Sequence, residues 1–142
     1  MSAPGTWEWA EEETEKWLKA KSDANIGFAW HRYPDSKAAR GALAPQPADI
    51  LVAYGGKGIH VEVKKTDQIT RLPLSKIRQY GKLKMFHEAG FRTIILIYRS
   101  VSSDWVYLVA SDLFPEGDTP KSFSMKGRTY STAAKALEEI FP

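Results

Sequence analysis

The sequence predicts an α/β domain in which helices flank a mixed central β-sheet. Three observations carry this reading. Residues 7–21 repeat apolar side chains at helical spacing; two alternating apolar runs meet at Gly55-Gly56-Lys57-Gly58; and Thr93-Ile94-Ile95-Leu96-Ile97-Tyr98 is apolar almost throughout. The resulting order is helix, three strands, helix, two strands, helix, which suits a layered α/β architecture. With 142 residues, 43% of them hydrophobic, the chain is read as a single domain over 1–142, large enough for a core of its own.

Taken in order, Thr6 is a fair N-cap for a helix running to about Lys21, with acidic residues in its first turns where they oppose the helix dipole. Trp7, Ala10, Thr14, Trp17 and Leu18 form its sheet-facing stripe. Glu11 borders that stripe and is the acidic residue best placed to reach inward; a solvated helix glutamate is the alternative. Gly27 to Tyr33 reads as the first strand. Pro34 to Pro47 has no period and reads as a long loop carrying Ser36, Lys37 and Arg40; loops of that length are usually functional or mobile. Cationic side chains there suit phosphate contacts, and a solvated loop is the alternative.

Asp49 to Tyr54 and Ile59 to Lys64 then read as a hairpin, because the glycine pair between them accepts positive φ. Side chains on a strand alternate faces, so Ile59, Val61 and Val63 make an oily face and His60, Glu62 and Lys64 a chemical one. Asp49 and Glu62 would converge at one end with Lys64 beside them. Two carboxylates and a backbone carbonyl suffice for a hard divalent cation, and a lysine there can orient water or offset charge on a phosphodiester under attack. A salt-bridged Glu62–Lys64 pair on a solvated strand face is the plainer alternative.

Lys65 to Leu74 reads as a polar connection holding Arg71. Ser75 is a candidate cap for a helix to about Ala89, closed by Gly90. On it Gln79, Leu83 and Phe86 share a stripe, with Arg78 and Lys82 on the outer face. The apolar run 93–98 has the pattern of a central strand buried on both faces. Trp105 to Ala110 should be its antiparallel neighbour across the Ser102-Ser103-Asp104 turn. Glu116 to Arg128 reads as a polar loop. Ser131 or Thr132 opens a last helix with Ala134, Leu137, Ile140 and Phe141 as its apolar stripe, either closing the core or forming a subunit contact.

Composition narrows the function. There is no cysteine, so disulfide frameworks and thiolate metal sites are excluded, and the three histidines show no zinc spacing. The formal charge is +3, but glutamates crowd the first helix (Glu8, Glu11, Glu12, Glu13, Glu15), leaving the remainder more basic. Such asymmetry suits one cationic face toward a polyanion. No apolar run approaches membrane-spanning length and the start lacks the pattern of a signal peptide, so the expectation is a protein of the cytoplasm, the host's if a phage encodes it.

Pro47-Ala48-Asp49 followed by Glu62-Val63-Lys64 resembles the PD-(D/E)XK nuclease superfamily, and thus a restriction-endonuclease-like core. With Lys65-Thr66, Leu72-Pro73-Leu74, Gln79 and the strand 93–98, the stretch from Gly27 to Phe114 looks like the Holliday junction resolvase family RecU, with archaeal and phage Hjc-type resolvases a close second. The resemblance implies a homodimer that cuts four-way DNA junctions symmetrically with Mg²⁺, Mn²⁺ being able to substitute. It implies Asp49, Glu62, the Val63 carbonyl and Glu11 as metal ligands, with Glu15 in reserve for Glu11, and Lys64 as the group that helps activate water. Gln79 would stand near the active site, with backbone satisfaction of its amide as the alternative. Arg32 and Ser36 could match an arginine and a serine of the archaeal enzymes, and residues 34–47 occupy the place of a junction-entering stalk, shortened here. Lys37, Arg40, Lys65, Arg71 and Arg78 are further DNA-contact candidates. Two other readings stay open: a repair, flap or restriction-like nuclease on the same fold, and a non-catalytic DNA-binding module.

Overall fold

The computed structural model describes residues 2–34 and 48–142. Helix α1 (Trp7–Ala24) starts where the Thr6 side chain accepts the Trp9 N–H at 3.2 Å, so the expected cap is the observed one. Strand β1 (Phe28–Arg32) pairs antiparallel with β2 (Ile50–Tyr54), and β2 with β3 (Lys57–Thr66). Tyr54 faces Lys57 across Gly55 and Gly56, whose φ values of 62° and 76° give the two-residue turn that matches strand twist. Strand β4 (Arg71–Pro73), a 3₁₀ turn (Leu74–Lys76) and helix α2 (Tyr80–Glu88) lead to β5 (Arg92–Arg99), which runs parallel to β3. Strand β6 (Asp104–Leu108) returns antiparallel to β5, followed by the short helix α3 (Ala110–Leu113), strand β7 (Ser122–Ser124) and helix α4 (Ala133–Ile140).

The five-stranded sheet has the order β1-β2-β3-β5-β6 and is mixed through its single parallel pair, β3 with β5. Its two faces hold separate cores. On one, Val52, Ile59, Val61, Val63, Ile94 and Leu96 meet α1 and α4. On the other, Ile95, Ile97, Val106 and Leu108 meet Leu72, Leu83, Leu113 and Phe123. Strand β5 is buried on both sides, as its unbroken apolar run predicts.

Several local expectations are corrected. The connection 65–74 and the loop 116–128 are not free polar segments: β4 and β7 pair antiparallel with Leu72 opposite Phe123, both buried. That pairing also holds Leu74, whose N–H donates to Lys121 O at 2.9 Å. Ser75 lies in the 3₁₀ turn, and helix α2 begins at Tyr80. Trp7 is 43% exposed despite its place on the sheet-facing stripe. The β6 strand ends at Leu108, with Ala110 in α3. In α4, capped by Thr132, it is Ala133 and Ala136, with Leu137, Ile140 and Phe141, that are buried; Ala134 is half-buried. These residues pack with α1, so the last helix closes the core.

A part-buried ion pair ties β5 to β6 at the end of the sheet where β3 leaves it. Arg99 donates from Nε and Nη2 to the two Asp104 carboxylate oxygens at 2.8 and 2.7 Å, and from Nη1 to Ile69 O at 2.7 Å. The bidentate pair spans the β5–β6 turn and pins the segment that follows β3. Asp104→Ala leaves the guanidinium buried without its partner and is expected to cost about 3 kcal/mol, read by urea denaturation; a loss under about 0.5 kcal/mol, the level of an ordinary surface substitution, would show that the pair does not hold this end.

Candidate active site

The site forms where the hairpin comes apart. The β2–β3 ladder ends at Ile50 opposite Val61, so one further step would set Asp49 across from Glu62. There β2 stays with the neighbouring chain, Asp49 O accepting the Tyr33 N–H at 2.9 Å, while the Asp49 side chain bridges the widening gap. Its Oδ2 accepts the Val63 N–H at 2.9 Å, a bond a neighbouring strand's carbonyl would otherwise take. The carbonyl of Val63 meets a side chain too: the Trp7 indole N–H donates to it at 3.3 Å.

Glu62 projects from β3 beside Asp49 and is only 5% exposed. Burial, then the Asp49 charge, push its carboxyl up to about 9; the Lys64 charge opposes this, and a hydrogen bond to Asp49 and the Glu11 charge add to it. Lys64 Nζ stands 3.9 Å from Glu62 Oε1. A solvated strand face is thus excluded. The third residue of the supposed chemical face, His60, is fully buried instead. Its ring lies 5.0 Å from Phe86 and 4.8 Å from Phe91, Nε2 faces Tyr33 Oη at 3.2 Å, and burial lowers its pKa to about 4, so it is neutral near pH 7. It packs the same face of β3 one step before Glu62.

Glu11 does turn inward, with 5% of its surface exposed. Burial first, and the Asp49 charge next, raise its carboxyl to about 7 against the opposing Arg32 charge. Its oxygens accept Arg32 Nη2 at 3.3 and 3.4 Å, while Arg32 Nη1 donates to Glu15 at 2.6 Å. Among the described residues no group of three or more His, Cys, Asp or Glu side chains is gathered so as to hold a metal ion. Asp49 and Glu62 lie side by side next to the Val63 peptide, with Glu11 one step back on its arginine.

The other candidates divide. Gln79 occupies the N-cap position of α2, half-buried, and its side chain makes no hydrogen bond among the described residues. Lys65 and Arg78 are exposed. Arg71 is spent on the small sheet, donating to Ser122 Oγ at 2.7 Å and Ser122 O at 3.2 Å. Ser36, Lys37 and Arg40, with the stalk-like stretch around them, lie outside the described residues. Sequence reading missed the Trp7 contact and the pairing of Arg32. The available signal was that Trp7 and Glu11, four apart on one helix, share a face.

The acids set a pH dependence for the metal-free protein. Both carboxyls hold a proton more tightly folded than unfolded, so their contribution to stability is full below the ordinary value of 4.5. It is lost as pH rises through about 7 for Glu11 and about 9 for Glu62. Melting in EDTA should show the midpoint falling from pH 5 to 9, and Glu62→Gln should flatten the upper part of that fall. A midpoint that rises over this range in both proteins would contradict the assignment.

No family model matches the chain, and no curated protein does either. Solved structures do: 21 chains match. One is the Holliday junction resolvase Hjc of the archaeal hyperthermophile Archaeoglobus fulgidus, 18% identical, covering 94% of this chain and 99% of that one with a TM-score of 0.52. The helix-flanked mixed sheet that carries Asp49, Glu62 and Lys64 is thus the fold of an archaeal Holliday junction resolvase, matched over nearly its whole length.

Proposed function

We propose that the protein is a metal-dependent, structure-selective endodeoxyribonuclease that resolves four-way DNA junctions by paired, symmetric hydrolysis. The observation that carries the reading is the placement of half-buried Asp49 against buried Glu62 beside Lys64, on a fold shared with a junction resolvase. A buried carboxyl held beside another acid, as Glu62 is beside Asp49, destabilises a fold unless something cationic relieves it.

The donor set fits a hard divalent ion, Mg²⁺ or Mn²⁺, because Asp49, Glu62 and the Val63 carbonyl offer only oxygen. When bound, such an ion supplies Lewis-acid polarisation of the scissile phosphate and lowers the pKa of water. The chain's own residues do the rest. Asp49 is aimed by the Val63 N–H it accepts, so its second oxygen is the one left for the ligand. Lys64 Nζ, close to Glu62 Oε1, donates toward the attacking water and offsets negative charge growing on the phosphate oxygens. Glu11, held on Arg32, is within electrostatic reach of Asp49 and completes the acidic wall. Gln79, with its amide not committed among the described residues, is available to the phosphate or to Lys64.

Exposed Lys65 and Arg78 follow the DNA backbone from the rim, and Lys37 and Arg40 belong to the same proposed contact set. Arg32 and Arg71 join it only by leaving their intramolecular partners. A four-way junction needs two symmetric cuts, so the working form is a homodimer whose two-fold axis matches that of the junction. No helix among the described residues is long and apolar enough to cross a membrane, consistent with a DNA partner in the cytoplasm.

The test is cleavage of a labelled synthetic four-way junction beside linear duplex, flap and single strand, each with Mg²⁺ and with EDTA. Paired Mg²⁺-dependent nicks in the junction alone are expected. Cutting of duplex or flap would keep the nuclease and replace its substrate; tight binding without cutting would make the protein a DNA-binding module. Asp49→Asn and Glu62→Gln should each lower cleavage by about a hundredfold or more while leaving junction affinity nearly unchanged, because they remove ligands and leave the basic contacts. Equal loss of binding and cleavage would contradict those roles.

A further inference from the structure

We propose that Trp7 is a positioning residue of this site: its indole N–H holds the Val63 carbonyl oxygen in place as the third oxygen donor beside Asp49 and Glu62, and so couples α1 to the site. The inference rests on the metal-dependent reading above and adds a residue to it.

Its basis is the treatment of one peptide. Val63 lies beyond the end of the β2–β3 ladder, so its polar groups face a gap and not a strand. Each is met by a side chain from a different element, the N–H by Asp49 at 2.9 Å and the carbonyl by Trp7 Nε1 at 3.3 Å. A carbonyl oxygen has two lone pairs, so the indole takes one direction and leaves the other for a ligand. At 3.3 Å the contact is slightly longer than the usual N–H···O range, so the indole orients the oxygen while leaving most of its acceptor capacity free.

Packing does not explain where Trp7 is. Trp105 shows how this fold treats a core tryptophan, at 1% exposure, whereas Trp7 keeps 43% of its surface in solvent and is anchored by its polar atom. The anchor is itself well fixed, since Thr6 caps α1 immediately before it and Glu11 follows one turn later on the same face. Outer partners of this kind commonly change metal affinity by about 10- to 100-fold.

The experiment uses the full chain with Mn²⁺ as the probe, the free ion being measured by electron paramagnetic resonance. Trp7→Phe keeps a ring and loses the donor; Trp7→His keeps a ring N–H; Glu62→Gln removes a proposed ligand. Trp7→Phe should melt in EDTA like the wild type yet bind Mn²⁺ about tenfold more weakly, with Trp7→His in between. Unchanged Mn²⁺ affinity in Trp7→Phe overturns the proposal, and weaker junction binding in that variant would then assign the ring to base stacking. A wild type that binds no Mn²⁺ sinks the metal reading and this inference with it; binding that Glu62→Gln loses and Trp7→Phe keeps sinks the inference alone. A second measurement needs no variant: among the five tryptophan indole N–H resonances of the wild type, that of Trp7 should shift with Mg²⁺ saturation. Its failure to shift while Mg²⁺ binds would overturn the proposal equally.

Discussion

The hydrogen bond from the Val63 N–H to Asp49 Oδ2 is the interaction on which the site depends. It stands where two antiparallel strands stop being a ladder. A backbone N–H left there without a partner would cost free energy comparable to a lost hydrogen bond, so the divergence of β2 from β3 is tolerable only because a carboxylate spans it. The same carboxylate then lies next to Glu62. A sheet built for stability alone would place a β-branched residue at both positions.

Around this pair the charges fall into two sets, each with one cation. Arg32, from the edge strand β1, carries Glu11 and Glu15, while Lys64, two residues along β3, faces Glu62. The two cations answer different acids and leave Asp49 to the backbone. Once ionised, carboxylates so placed repel a phosphate backbone unless a further positive charge lies between them. That electrostatic argument separates the nuclease reading from a simple DNA-binding one, which would have no use for buried carboxylates beside phosphate.

The scaffold keeps these groups still. Glu62 and Lys64 project from a strand paired on one side with β5, which is buried on both faces, and anchored on their own face by His60 in its nest of Phe86 and Phe91. Functional side chains carried on strands are held more closely than those on loops. Beyond Lys64, the end of β5 and the start of β6 are locked by Arg99 and Asp104, and the reach of Arg99 to Ile69 also fixes the chain as it leaves β3. The stiff parts of the fold and the chemical ones are therefore continuous along β3.

What could be read from the residues was what local chemistry decides. Thr6 caps α1 because a threonine before an amphipathic run has no better use, and Gly55-Gly56 makes a two-residue turn because both positions take positive φ. The period of two put Glu62 and Lys64 on one face, and the unbroken run 93–98 marked the central strand. The tertiary structure decided everything that rests on distant partners. It paired β4 with β7, because strand pairing across fifty residues leaves no local trace. It buried His60 and closed Arg32 onto Glu11 and Glu15, since alternation says which face a side chain takes but not what covers that face. It also brought Trp7 to the Val63 carbonyl, 56 residues away, a contact set by where the helix lies on the sheet and not by any property of its own turn.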